Sequence, residues 1–88
     1  MARYSVRIKA SALREIEAIP QKSHRQKVVA RIRRLAEDPR PPGCEKLSGH
    51  DRYRVRQGVY RIVYAVTDLE LTVYVVKVGH RSSAYRRY

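Results

Sequence analysis

Two hydrophobic periods divide this chain, and they restrict its fold more than any other feature. Between residues 11 and 36, apolar side chains recur every three or four positions, which is the spacing of one face of an α-helix. Between residues 52 and 78, β-branched and aromatic side chains alternate with polar ones or form short continuous runs, as in β-strands. Helices followed by a block of strands predict an α+β domain with the helices on one face of the sheet.

A strand and a short helix are predicted at the beginning of the chain. Tyr4, Val6 and Ile8 alternate with serine and basic side chains, so this strand has one apolar and one basic face. Ser11 is a candidate N-cap for the first helix, and Pro20 ends that helix because proline cannot continue its hydrogen bonds. The predicted apolar stripe of the helix consists of Leu13, Ile16 and Ile19.

A second, longer helix is predicted between Ser23 and Pro39. Ser23 and Gln26 have the spacing of a capping box. The short link between the two helices predicts an antiparallel helical hairpin. The apolar face of the second helix consists of Val28, Val29, Ile32, Leu35 and Ala36.

Three strands are predicted after the helices. Residues 39–51 are rich in proline and glycine and are predicted to form a loop from the helices to the strands. Turn signals at Gln57-Gly58 and Thr67-Asp68 separate the strands, which predicts a three-stranded antiparallel meander. The predicted order is β-α-α-β-β-β, and residues 1–88 are expected to form a single domain.

The charge of the chain predicts a polyanionic partner. Twenty Lys and Arg against eight Asp and Glu give a net charge of +12, which favours nucleic acid. The chain has no Trp or Phe for a membrane-binding helix face, no apolar run that could span a membrane and no signal-peptide core. Its one cysteine, Cys44, cannot form an internal disulfide. We therefore expect a cytoplasmic protein.

Arginines in the predicted strands are the first candidate site residues. Arg54 and Arg56 lie on the same face of one strand, and two interpretations are open for them: solvated surface charges or ligands for an anion. Arg61 lies within an otherwise apolar strand, where a guanidinium is costly unless it is paired or lines a functional groove. Because acids are few, phosphate is the expected partner of Arg61, and a guanidinium binds it with two parallel hydrogen bonds.

The C-terminal segment supplies the other candidates. Tyr85 and Tyr88 lie among basic residues, where a ring can stack on a base or pack against the sheet. His80 follows a predicted strand and is either a surface residue or a group that transfers protons near neutral pH. No metal-ligand spacing, and hence no zinc site, is formed by His24, His50 and Cys44.

Several of these segments together resemble the RelE/ParE toxin superfamily. They are Lys46-Leu47-Ser48-Gly49, Tyr53-Arg54-Val55-Arg56 and Gly58-Val59-Tyr60-Arg61-Ile62-Val63-Tyr64, in that order. Val78-Gly79-His80-Arg81, followed by a tyrosine, is similar to the RelE branch of the superfamily. The resemblance covers essentially the whole chain.

The resemblance implies an mRNA interferase, the toxin of a type II toxin–antitoxin pair that cuts mRNA in the ribosomal A site and so inhibits translation. The family's functional positions fall on Arg54, Arg56, Arg61, Arg81 and Tyr85. Familiar members have lysine where this chain has Arg54 and Arg56. Arginine is a poor proton acceptor at neutral pH, so this difference affects the expected acid–base chemistry.

The implied reaction is metal-independent and needs no cofactor. A ribose 2′-hydroxyl attacks the adjacent phosphate, and the cut leaves a 2′,3′-cyclic phosphate, or its opened 3′-phosphate, and a 5′-hydroxyl. Arg61 and Arg81 are expected to stabilise the phosphate charge, and Tyr85 to stack on a codon base. Arg54 and Arg56 would hold the RNA backbone and assist deprotonation. His80 is a further candidate for acid–base work.

The expected partners are a cognate antitoxin protein, mRNA and the ribosome, with no membrane and no small-molecule cofactor. A second interpretation is a ParE-like toxin, which shares the fold but inhibits DNA gyrase and has no nuclease activity. A third is a nucleic-acid-binding module without activity, whose binding weakens steeply as the salt concentration rises.

Overall fold

The computed structural model describes residues 3–47 and 51–82, in which two helices cover one face of a five-stranded sheet. The strand order is β1-β5-β4-β3-β2. This α+β architecture confirms the predicted fold class. The elements are β1 (Ser5–Ile8), α1 (Ala10–Glu17), α2 (Lys22–Arg34), β2 (Glu45–Leu47), β3 (Arg52–Gln57), β4 (Tyr60–Thr67) and β5 (Thr72–His80).

The meander of β3, β4 and β5 forms the centre of the sheet, as predicted. Its strands pair antiparallel, while β1 crosses over through both helices and pairs parallel with β5. The predicted turn at Gln57-Gly58 joins β3 to β4. Gly58 has a φ of +60°, a left-handed conformation that glycine adopts at little cost. This tight turn holds the ends of β3 and β4 together.

Residues Glu45–Leu47 form strand β2, whereas the sequence predicts a loop over residues 39–51. Glu45, Lys46 and Leu47 pair antiparallel with Arg54, Tyr53 and Arg52 of β3 at the edge of the sheet. The segment is three residues long and contains one apolar side chain, so it has no detectable period. Backbone pairing with β3 therefore defines this strand.

Both predicted helix caps are wrong. The residue before α1 is Lys9 and the residue before α2 is Gln21, and neither helix has a side-chain cap hydrogen bond. The backbone N–H of Lys9 instead donates to the Val75 carbonyl at 2.9 Å. The first helix therefore begins where the chain leaves the sheet, one residue before Ser11.

The predicted apolar faces are largely correct. Ile16 of α1 and Ile19, two residues after the helix, are buried, but Leu13 is 45% exposed and Ala12 takes its place in the core. Ala12 and Ile16 are four residues apart and therefore lie on the same side of this short helix. On the second helix and the segment after it, the buried residues are Val28, Ile32, Leu35 and Ala36. No helix in the described ranges is long and apolar enough to cross a membrane.

The core lies between the helices and one face of the sheet. Its sheet side consists of Val55, Ile62, Tyr64, Val66, Val73, Val75 and Val78. Tyr64 is one of the largest fully buried side chains, and its hydroxyl donates a hydrogen bond to the Pro39 carbonyl at 2.8 Å. This buried hydroxyl therefore has a hydrogen-bond partner. These residues alternate with the side chains of the opposite face.

Candidate active site

Three of the predicted site residues lie on the face of the sheet opposite the helices. In β3 and β4, the pair Val55–Ile62 belongs to the helix-covered core. Side chains alternate along a strand, so the neighbouring pair Arg56–Arg61 points to the other face. Arg54, two residues before Arg56, lies on that same face. We call Arg54, Arg56 and Arg61 the arginine cluster.

The members of the cluster differ in burial. Arg54 is 9% exposed and Arg61 is 7% exposed, whereas Arg56 is exposed. Arg54 is therefore not a solvated surface charge, whereas the exposure of Arg56 fits both a surface charge and a ligand for an anion. The two buried guanidinium groups fix the cluster to the middle of the sheet, while Arg56 extends it toward solvent.

Glu45 is a fourth member of this site and was missed in the sequence. Its Oε1 lies 2.8 Å from Nη2 of Arg54, and its side chain remains 50% exposed. The hydrogen bond from Arg54 is the main cause that lowers the pKa of Glu45, and the charges of Arg56 and Arg61 lower it further. Predicting β2 would have revealed this contact, since its register places Glu45 directly opposite Arg54.

His80 lies on the other face of the sheet from the arginine cluster. It is directly opposite Tyr60, and their ring centroids are 5.8 Å apart, edge to face. The Tyr60 ring in turn packs edge to face against the ring of His24 in α2, with the ring centroids 6.0 Å apart. The structure therefore places the His80 ring beside Tyr60 and the helix layer, although Arg61 is the next residue along β4.

The hydrogen bonds of His80 define its neutral tautomer. The backbone N–H of Ser82 donates to Nδ1 of His80 at 3.2 Å, and the Ser82 hydroxyl lies 3.0 Å from the same nitrogen. A backbone N–H is only a donor, so Nδ1 accepts and the neutral ring carries its proton on Nε2. Nε2 is therefore the nitrogen of the neutral ring that can donate a hydrogen bond.

Arg81 continues the pairing of β5 with the end of β4. Its backbone N–H donates to the Val59 carbonyl at 2.7 Å, one residue beyond the last paired residues of these strands. Because side chains alternate along a strand, Arg81 is assigned to the same face of the sheet as Gly79. Gly79 pairs directly with Arg61 of β4, so this is also the face of Arg61. Its side chain is exposed. Tyr85 lies outside the described residues.

The chemistry available on this face is anion binding. Guanidinium groups donate to phosphate through two parallel hydrogen bonds, and their strength rises where water is excluded. Arg54 and Arg61 are buried enough to gain from this effect, and Arg56 and Arg81 are exposed to a ligand that approaches from solvent. Within residues 3–47 and 51–82, no three His, Cys, Asp or Glu side chains are grouped so that they could hold a metal ion.

Sequence comparison relates the chain to toxins. The family described as the ParE toxin of the type II toxin–antitoxin system parDE matches residues 6–85. The chain is also 30% identical over 87 residues to toxin RelG of Mycobacterium tuberculosis, covering 96% of this chain and 98% of that protein. A putative RelE-like toxin protein of Escherichia coli is 30% identical over 81 residues, covering 90% and 84% of the two chains.

Solved structures agree with this relationship. The M. tuberculosis toxin–antitoxin complex RelBE2 superposes with a TM-score of 0.81 at 27% identity, covering 94% of this chain and 97% of that one. The isolated E. coli RelE toxin superposes with a TM-score of 0.76 at 30% identity, covering 93% and 90%. The chain therefore belongs to the RelE/ParE superfamily of toxins of type II toxin–antitoxin systems.

Proposed function

We propose that this toxin is a metal-independent endoribonuclease that cuts mRNA in the ribosomal A site and so inhibits translation. The observation that supports the proposal most is the arginine cluster, in which Arg54 and Arg61 are buried on a sheet face that the helices leave uncovered. Guanidinium groups on this face can donate two parallel hydrogen bonds to a ligand phosphate. The similarity to RelE-type toxins supports the same function.

In the proposed reaction, Arg61 and Arg81 bind the scissile phosphate. As the 2′-hydroxyl attacks, negative charge grows on the phosphate oxygens, and fixed cationic donors stabilise that charge without having to reorganise. Arg54 and Arg56 hold the RNA backbone so that the attacking oxygen, phosphorus and leaving oxygen are in line. The 2′-hydroxyl loses its proton to solvent as its oxygen forms a bond to phosphorus. The bond to the 5′-oxygen breaks and that oxygen takes up a proton, so the products are a 2′,3′-cyclic phosphate and a 5′-hydroxyl.

Tyr85 and His80 have separate roles in this proposal. Tyr85 stacks on a base of the codon and turns the nucleotide into the geometry for attack. His80 is a further candidate for acid–base work, and its ring lies on the opposite face of the sheet from the arginine cluster.

The proposed partners are a cognate antitoxin, mRNA and the ribosome, in the cytoplasm. The similar M. tuberculosis and E. coli toxins were crystallised in complexes with antitoxins. A partly disordered acidic segment is the expected antitoxin element, because a chain of net charge +12 attracts it and accelerates the encounter.

Gyrase inhibition is the second candidate function. The matching family is described as the ParE toxin, and that description is the observation in its favour. This alternative requires no RNA cleavage. A supercoiling assay with purified gyrase and the purified toxin tests it directly, since a ParE-like toxin inhibits supercoiling at concentrations that leave mRNA intact.

The test of the nuclease proposal is a coupled translation reaction on a defined mRNA, with the 5′ ends mapped by primer extension. Naked mRNA is incubated in parallel. The proposal predicts cuts within codons on translated message alone. Cuts on both templates would indicate a nuclease that does not depend on the ribosome. Intact message in both reactions, with folded protein, would contradict the proposal.

A further inference from the structure

We propose that Glu45 occupies the RNA-phosphate position of the arginine cluster in the free toxin and that a phosphate of the bound RNA displaces it. This inference rests on the proposed function, because it assumes that the cluster binds RNA. It makes Glu45 a residue that sets the affinity for RNA and takes no part in bond cleavage.

The carboxylate of Glu45 binds the arginine cluster through a hydrogen bond of the kind that a phosphate oxygen would accept. Its carboxylate accepts a hydrogen bond from Nη2 of the buried Arg54 at 2.8 Å. The charges of Arg56 and Arg61 also reach this carboxylate, and together with Arg54 they lower its pKa. One internal anion thus interacts with three of the four arginines that the proposed reaction assigns to the RNA.

The position of Glu45 allows it to leave. It lies on β2, the three-residue strand at the edge of the sheet, and half of its side chain is exposed to solvent. A part-exposed ion pair contributes little stability, so a phosphate of RNA, which also carries one negative charge, can replace it. Rotation of the side chain into solvent uncovers Arg54 while β2 stays paired with β3.

A role as general base fits Glu45 less well. A base that removes a proton from a 2′-hydroxyl works best with a pKa near the working pH. The arginines lower the pKa of Glu45 below its usual range and thereby weaken it as a proton acceptor. The same arginines make it a good competitor of phosphate, because each of them stabilises its charged form.

The experiment compares RNA binding by the purified toxin and its Glu45→Gln variant. The ligand is a fluorescent 2′-O-methyl oligoribonucleotide, which has no attacking hydroxyl, and the affinity is measured by anisotropy over a range of salt concentrations. Glu17→Gln is the matched control, since it removes one exposed carboxylate from α1. Glu45→Thr is a second variant, and threonine suits a β-strand. Thermal melting establishes that each variant is folded.

We expect Glu45→Gln to bind about fivefold more tightly than the wild type, the scale of a part-exposed ion pair, and Glu17→Gln to match the wild type. When the logarithm of the affinity is plotted against the logarithm of the salt concentration, the slope for Glu45→Gln should also be steeper by about 0.7. One more cationic side chain is then available to bind a phosphate of the single-stranded RNA. In an Arg54→Ala background, the effect of Glu45→Gln should disappear.

Equal affinities of the wild type and both Glu45 variants would overturn the inference and leave the nuclease proposal intact. Unchanged affinity with a large loss of mRNA cleavage would also overturn it, since Glu45 would then act in the chemistry. A wild-type toxin that cuts no translated message would contradict the proposed function instead. The affinity comparison would still decide the role of Glu45, because it requires binding alone.

Discussion

Arg56 and Arg61 occupy directly opposite positions on β3 and β4, so two cationic side chains share one cross-strand site. Like charges at such a site destabilise a sheet, whereas the adjacent pair Val55–Ile62 contributes to the core. The repulsion between these two side chains is unfavourable, and an anion bound beside them would offset it. This conflict between stability and binding is what we expect of a functional site.

Replacement of Arg56 should separate these two effects. Arg56→Thr removes the like-charge contact and introduces a good strand former, so we expect the free energy of unfolding to rise by about 0.2 to 1 kcal/mol. Cleavage of translated mRNA should fall at the same time, because one backbone ligand is lost. Chemical denaturation and primer extension measure the two quantities. A fall in both would indicate that Arg56 supports the fold rather than the RNA.

The proposed stacking role of Tyr85 depends on its ring and not on its hydroxyl. Tyr85→Phe should therefore retain cleavage, while Tyr85→Ala should reduce it roughly five- to a hundredfold, the range for loss of one base–aromatic stack. Single-turnover cleavage on stalled ribosomes provides the rates. Equal losses in both variants would assign the function to the hydroxyl group and contradict stacking.

Glu15 of α1 replaces a missing strand at the edge of β5. Strand β1 ends at Ile8, and beyond it the backbone N–H of Val78 donates to Oε1 of Glu15 at 2.9 Å, while Nζ of Lys77 lies 2.8 Å from Oε2. Glu15→Ala leaves both donors without this acceptor and should cost about 1 to 3 kcal/mol of unfolding free energy.

Urea denaturation tests this prediction, with Glu17→Ala on the same helix as the control. Glu17 is exposed, and its replacement makes the same change in helix propensity. Glu15→Gln should be milder than Glu15→Ala, because its amide oxygen can still accept from Val78. Equal stabilities of the two alanine variants would show that the edge contact contributes nothing.

Asp68 connects three separate parts of the fold and should make stability depend on pH. Its carboxylate accepts from Arg40 at 2.9 and 3.1 Å and from the Tyr4 hydroxyl at 2.6 Å. Arg40 is the main cause that lowers the pKa of Asp68, followed by Tyr4. The unfolded chain therefore binds a proton more readily than the folded protein does.

The stability that the ionised Asp68 contributes is therefore fully present above the ordinary aspartate pKa of about 3.9. It is lost as the pH falls through the lower pKa of Asp68 in the folded state. Asp68→Asn should lower the melting temperature by a few degrees at pH 7 and low salt, and the difference should shrink below about pH 4. Glu70→Gln, in the same turn, is the control. A difference that stays constant down to pH 2 would contradict the assignment.

Hydrophobic period was sufficient to predict the helices, the meander and the core side of α2, because each of these buries a continuous apolar face. It failed for β2 and for the beginnings of both helices. Backbone hydrogen bonds to distant residues decide these features, as in the Lys9 N–H that donates to Val75, and no local pattern encodes them.

The candidate site was predictable in part for a related reason. Alternation along a strand placed Arg54 and Arg56 on one face in advance, and an isolated arginine in an apolar run marked Arg61. The ion pair with Glu45 depends on the register between β2 and β3, and the placement of His80 beside Tyr60 depends on the register between β4 and β5. Register is a property of the assembled sheet, so these contacts required the structure.

The central claim is that the uncovered face of the sheet cleaves RNA, and two double variants test it most directly. Arg61→Ala, Arg81→Ala removes the proposed phosphate ligands. Arg33→Ala, Arg34→Ala removes the same charge from exposed positions at the end of α2. In a translation reaction with mapped 5′ ends, we predict that the first variant cleaves at least about a hundredfold more slowly than the wild type and that the second matches it. Undiminished cleavage by the Arg61→Ala, Arg81→Ala variant would contradict the account.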